Sequence, residues 1–190
     1  EEYVEDCSDI DDIIVFTSNG DMIVTKVDSK KFVAKNILYV SVFKKRDSRT
    51  IYNMIYKEGK SGVSYIKRFN VTGVTRDKTY NLTSQNPKTK ILHFSANPNG
   101  EAEIVTIQLR QSGSIKKLKW DLDFADLAIK GRSVKGNIVS KYSVNKVIFK
   151  EKGLSTLKPR KIWFDDTVQR LNVDAVSYTH LTLPTSCCGY

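Results

Sequence analysis

DDIIVFTSNGDMIVTKV, residues 11–27, decides the fold class. Ile13 to Phe16 is a short apolar strand, Thr17-Ser18-Asn19-Gly20-Asp21 turns the chain, and Met22 to Val27 returns it. An Asn-Gly pair tolerates positive φ at both central positions, so the stretch predicts a type I′ β-hairpin. The signature recurs. Gly59 to Gly62, Asn99-Gly100, Gly131 to Gly136 and Asp165-Asp166 each sit between apolar-polar runs, at turn-to-turn spacings of 39, 41, 36 and 29 residues. Strands of about five to six residues with short loops place about four strands in such a period, the size of a propeller blade. No 3.6-residue periodicity is sustained, which argues against an α-rich fold. The expectation is an all-β array of four to five four-stranded blades.

The remaining elements follow the same pattern. Asn36 to Phe43 alternates loosely and runs into Lys44-Lys45-Arg46. Thr50 to Tyr56 reads as a buried strand, and Val63 to Phe69 returns with β-branched and aromatic residues. Asn81 to Thr89 holds Pro87 and reads as a connection. Ile91 to Phe94 turns at Asn97 to Gly100 into Glu103 to Leu109, which has period 2. Ser114 to Trp120 is basic and alternating, and Asp123 to Ile129 allows a helical turn or a strand entry. Asn137 to Ser140, Lys146 to Phe149, and Lys161 to Val173 around Asp165-Asp166 complete the series.

The charge is unevenly placed. Residues 1–12 hold seven acids and no base, an acidic linker. With a net charge of +10, residues 13–190 carry +17, and Arg110 to Arg170 has 15 bases against 6 acids. Such a potential keeps a protein soluble and also steers polyanions toward it. Of the 190 residues 40% are hydrophobic, enough for a core, while 4 Pro and 10 Gly oppose disorder. Cys7, Cys187 and Cys188 make neither a disulfide framework nor metal-ligand spacing, which fits a reducing cytoplasm. No signal peptide and no apolar run of about 18 residues is present. A chain beginning at Glu1 reads as a fragment or a processed product. AVSYTHLTLPTSCCGY, residues 175–190, has no charged residue and matches no hairpin template. It is read as a non-native tail and set aside, which leaves residues 13–174 as the folded domain.

DDIIVFTSNGDMIVTKV, GVSYIKRFNVTGVTRDKTYNLT (62–83), KWDLDFADLAIKGRSVKGNIVSKY (119–142) and RKIWFDDTVQRLNVD (160–174) together resemble the C-terminal domain of the type IIA DNA topoisomerase A subunit. Within that family the chain is most similar to the topoisomerase IV branch of Bacteroidetes-like bacteria. The resemblance implies a β-pinwheel whose basic outer edge binds and bends double-stranded DNA without sequence preference. It also implies a cytoplasmic, nucleoid-associated parent enzyme, in which two A chains pair with the B subunit. ATP and Mg2+ would be held on the partner subunit, with no cofactor in this fragment. The glycine- and arginine-rich QRRGGRG box of gyrase A subunits is not in this chain. The nearest piece is Lys130 to Gly136, which favours topoisomerase IV-like behaviour. The family's covalent nucleophile is a tyrosine after an arginine, and none of the nine tyrosines follows one, so the fragment itself carries no catalytic residue.

Wrapping needs phosphate neutralisation rather than base reading. The candidate DNA-binding residues are Lys44, Lys45, Arg46, Arg49, Lys67, Arg68, Arg110, Lys116, Lys117, Lys119, Lys130, Arg132, Lys135 and Arg170. Gly131 and Gly136 either let backbone N–H groups approach a phosphate or serve turn geometry. Asp121, Asp123 and Asp126 alternate with core residues and are not read as metal ligands. His93 is read as a packed histidine, and Trp120 and Trp163 as blade-core anchors. The alternative is a propeller that binds other proteins and no DNA. The Trp-Asp and Gly-His signatures of that class are not in the chain.

Overall fold

The computed structural model describes residues 3–84, 86–113 and 115–175. The tail expected from residue 175 onward lies, from residue 176, outside the described residues. Fourteen strands and one 3-10 turn are described, in two compact units, 1–156 and 157–190. The all-β expectation holds, and the separate antiparallel sheets are consistent with a β-pinwheel.

In the first unit, β1 (Asp12–Thr17) pairs with β2 (Asp21–Lys26) and β3 (Ile37–Phe43), and β6 (Thr79–Asn81) closes the sheet on β2. A late strand thus completes an early blade. The second sheet centres on β4 (Ile51–Lys57), flanked by β5 (Ser64–Asn70) and β7 (Lys90–Asn97). Two short strands share the outer edge of β5. β10 (Ile129–Gly131) runs parallel to it and β11 (Asn137–Ser140) antiparallel. The third sheet is β12 (Val144–Ser155), β8 (Glu101–Leu109) and β9 (Lys119–Asp123). A 3-10 turn at Phe124–Asp126 follows β9, its N-terminus capped by the Asp123 carboxylate accepting from Ala125 N at 2.7 Å. The second unit's described part is one hairpin, β13 (Arg160–Asp165) and β14 (Arg170–Ala175).

The strand counts of four, five, three and two depart from four per blade. Three turns also depart from expectation, the first being Gly131 to Gly136, which is not a hairpin because β10 and β11 on either side of it both pair with β5 and not with each other. At Asn19-Gly20 only Gly20 has positive φ, +91°, and Gly20 N donates to Thr17 O at 3.1 Å. The connection is therefore a type I turn closed by a left-handed glycine, the three-residue solution to a hairpin, and not type I′. Asn97 to Gly100 repeats that geometry, with Gly100 at φ +65°. Its flanking strands β7 and β8 lie in different sheets, so the turn is a corner between blades and not a hairpin.

The second sheet is buried on both faces. On β4, Tyr52, Met54 and Tyr56 face the first sheet with Phe16, Met22 and Phe69, while Ile55 joins Ile66, Val105, Ile107 and Phe124 toward the third. Phe16, Tyr52 and Phe94 pack ring on ring with centroids 4.6 to 5.8 Å apart, tilted at Phe16 and stacked between Tyr52 and Phe94. A strand buried on both faces reads as a near-continuous apolar run, which Ile51 to Tyr56 shows apart from Asn53.

Candidate nucleic-acid interface

The double burial of β5 removes two of the expected DNA-binding residues. Arg68 is 1% exposed and Lys67 4%. The Arg68 guanidinium spans the gap to the third sheet, donating to Asn53 Oδ1 at 3.1 Å, Phe124 O at 3.2 Å, Gly100 O at 3.1 Å and Thr156 Oγ1 at 3.1 Å. Asn53 in turn donates to Glu103 Oε1, which also accepts from Ser95 and contacts His93 Nε2 at 2.8 Å. Burial opposes the charge on Glu103, but the bonds from His93, Ser95 and Asn53 outweigh it and hold the carboxyl below its ordinary range. Arg68 is a structural tie, held by four acceptors and out of reach of a phosphate.

Lys67 has the opposite orientation and organises the basic loop. Its ammonium donates to Leu82 O at 2.5 Å, Arg132 O at 2.7 Å and Val134 O at 3.1 Å, filling all three N–H positions. Burial pushes it down to about 8. The chain travels along the β5 edge as β10, loops outward through residues 132–136 and returns as β11. Gly136 makes that return, with φ +98°, and a Cβ there would stand 2.4 Å from Ile66 O. Its role is turn geometry. A Cβ on Gly131 would meet nothing within 4 Å, and its φ is not positive.

The surface cations gather along this edge. At the end of β5 near Asn70, the turn after β3 presents Lys44, Lys45 and Arg46. Asp47 shapes that turn by accepting from Arg49 N at 2.7 Å and Thr50 Oγ1 at 2.5 Å. Arg46 N donates to Thr72 O at 3.1 Å, and the Arg132 guanidinium donates to the adjacent Gly73 O at 2.7 Å. The 72–73 segment therefore joins the 44–46 turn to the 132–136 loop. Arg132 also lies over the Tyr80 ring at 4.4 Å, with Lys78 at 5.5 Å from the same ring. Arg76 and Lys45 converge on buried Asp12, at 2.7 and 3.9 Å.

Further along, Lys130 is exposed on β10, and Lys135 lies 4.5 Å from the Tyr65 ring and 3.1 Å from Glu58. Hydrogen bonds from Ser61 and Ser84, together with Lys135, hold the Glu58 carboxyl down to about 2. Beside Glu58, Lys57 Nζ donates to Ser143 Oγ at 3.0 Å, and Arg110 N donates to Ser143 O at 3.0 Å. Lys116 and Lys117 lie across a pocket from Lys141, and Lys119 opens β9 opposite Gln108. All of these lysines except Lys57 are exposed. Contacts at Thr72, Gly73, Glu58 and Ser143 thus join the segments that carry Lys44 to Arg46, Arg132 to Lys135, Lys57 and Arg110, beside the β10 and β11 strands that flank the roughly 20 Å of β5, while Lys116 and Lys117 share a pocket with Lys141. Arg49 is half-buried next to the first turn. Arg170 is exposed in the second unit, opening β14 opposite Asp165. Trp163 in that hairpin is 55% exposed and is not a core anchor there, whereas Trp120 packs on the second core.

Sequence reasoning missed Lys57, Arg76, Lys78, Tyr80 and Lys141. The signal for three of them was the Arg76-Asp77-Lys78-Thr79-Tyr80 run, a basic-aromatic interleaving that enters β6. Among the described residues no group of His, Cys, Asp and Glu is arranged to hold a metal ion.

The family model for the topoisomerase C-terminal domain of Bacteroidota matches residues 1–152. Among curated proteins, the chain is 27% identical over 150 residues to the A subunit of DNA topoisomerase 4 from Borreliella burgdorferi, covering 78% of this chain and 22% of that protein. The chain spans about a fifth of the length of that relative. No solved structure matches the chain.

Proposed function

We propose, since the chain belongs to the topoisomerase C-terminal domain family of Bacteroidota, that this domain binds duplex DNA by its phosphates and bends it along the outer edge that β10, the 132–136 loop and β11 form beside β5. The observation that carries the reading is the series of contact-linked segments that present Lys44 to Arg46, Arg132, Lys135 and Lys57. About 20 Å of edge faces roughly six base pairs at about 3.4 Å each. The contacts along it come from lysine, arginine and a ring-stacked guanidinium, which recognise phosphate and not base sequence. Bending a duplex by 40–90° over 20–30 base pairs costs on the order of 1–6 kcal/mol, which several simultaneous phosphate contacts offset.

In this reading the parent protein is the A subunit of a type IIA topoisomerase. The domain holds a duplex segment for strand passage, and the ATP and Mg2+ chemistry resides on other parts of the enzyme. The test is a bending assay with the full 190-residue chain. A duplex of about 40 base pairs labelled at both ends is titrated at low salt, and end-to-end energy transfer is read. Transfer rising with saturation, on unrelated sequences alike, supports bending. Binding without a change in transfer contradicts it.

A further inference from the structure

Between β9 and the β11–β12 link lies an open pocket of about 520 Å³, within the range of about 300–1,000 Å³ typical of small-ligand sites. Its floor is apolar, formed by Leu109, Ile115 and Val139, all belonging to or packed on the second core. Trp120 and Tyr142 supply two aromatic rings. Trp120 is half-buried against the core, while Tyr142 is 58% exposed. Lys116, Lys117 and Lys141 line the pocket and are exposed, and among the described residues no carboxylate pairs with any of them. The ligand that such a site recognises has a flat apolar body and a negative charge beside it. Duplex DNA held by its phosphates uses neither the rings nor the apolar floor.

We infer that this pocket takes an unstacked nucleobase, with Trp120 and Tyr142 against its π-face and the three lysines on its flanking phosphates. Stacking on an aromatic side chain tolerates any base, so the site reads single-stranded character and not sequence. The inference deepens the DNA-binding reading and rests on it for its ligand class. It adds that the domain distinguishes frayed, gapped or single-stranded DNA from closed duplex.

The chain has two tryptophans, so Trp163→Phe leaves Trp120 as the sole reporter. An oligothymidylate of about 12 nucleotides is titrated into that variant, and a blunt duplex is titrated separately. The expected result is saturable quenching of Trp120 by the oligonucleotide. Tyr142→Ala and Trp120→Leu, followed by anisotropy of a labelled oligonucleotide, should each weaken its binding roughly tenfold. Their duplex affinity should stay within about twofold of the parent's, a ratio that a folding defect would not preserve. Oligonucleotide binding that leaves Trp120 emission unchanged, or equal losses toward both DNAs, overturns the inference. So does quenching by a peptide of residues 1–7, acidic with one tyrosine, in place of the oligonucleotide. If the duplex binds and Trp120 stays silent, the pocket inference fails alone. If the oligonucleotide quenches and the duplex does not bind, the bending proposal fails alone.

Discussion

Lys67 carries a charge into the core of a basic protein, and the reason is geometric. Three backbone carbonyls from two segments, at residues 82, 132 and 134, converge on one ammonium. Lys67→Met keeps the length of the side chain and strands those carbonyls. An unfolding free-energy loss of about 2–4 kcal/mol is expected, measured by denaturant titration. Duplex affinity should fall by more than one phosphate contact is worth, because the 132–136 loop loses its anchor. The pH dependence has a defined sign. The folded amine titrates at about 8 against 10.5 for the free side chain. Between those values the unfolded chain binds more protons, so stability contributed by this group rises with pH there. The stability difference between parent and Lys67→Met should therefore grow across that window. Glu58 has the same sign in an acid window. Its carboxyl is held at about 2 against 4.5, so its contribution is present above 4.5 and lost as pH falls toward 2. Glu58→Gln should flatten the acid limb of a stability-pH curve, and an unchanged limb would remove Glu58 from the account.

At the scale of elements, the 132–136 loop makes a paired prediction. Gly136→Ala places a methyl 2.4 Å from Ile66 O at φ +98° and should cost about 1–3 kcal/mol in thermal or chemical unfolding. Gly131→Ala has open space and ordinary backbone, so it should lie within about 0.5 kcal/mol of the parent. Equal costs at both positions would mean that the loop is held otherwise than described. The same elements show what was legible beforehand. The hairpins at residues 20, 59 and 165 were visible because turn residues sit between apolar runs that pair locally. The corner at Gly100 carried an identical local signal, since a type I turn with a left-handed glycine serves either a hairpin or a change of sheet. Only the distant partners of β7 and β8 separate the two. β6 and β10 are three residues each and pair with strands far along the chain, so no local periodicity betrays them.

At the scale of the molecule, composition pointed to a basic surface but not to which bases reach it. Lys67 and Arg68 sit in a Tyr-Ile-Lys-Arg-Phe run whose apolar residues occupy both parities. Both faces of β5 are buried, so the two cations between them are buried as well. The cations in turns stayed outside because the turns do. Linking them into one series needed long-range contacts at Thr72, Gly73, Glu58 and Ser143 that no spacing reveals. The central claim is that this series neutralises phosphates. Its most direct test is the salt dependence of duplex binding by the full chain, compared with the Lys44→Ala, Arg46→Ala, Arg132→Ala triple variant. The account predicts a linear fall of log affinity with log salt, with a slope of about −5 for about six contacts. The variant's slope should be shallower by nearly one unit per removed cation. Binding insensitive to salt, or a slope that the three substitutions leave unchanged, would contradict it.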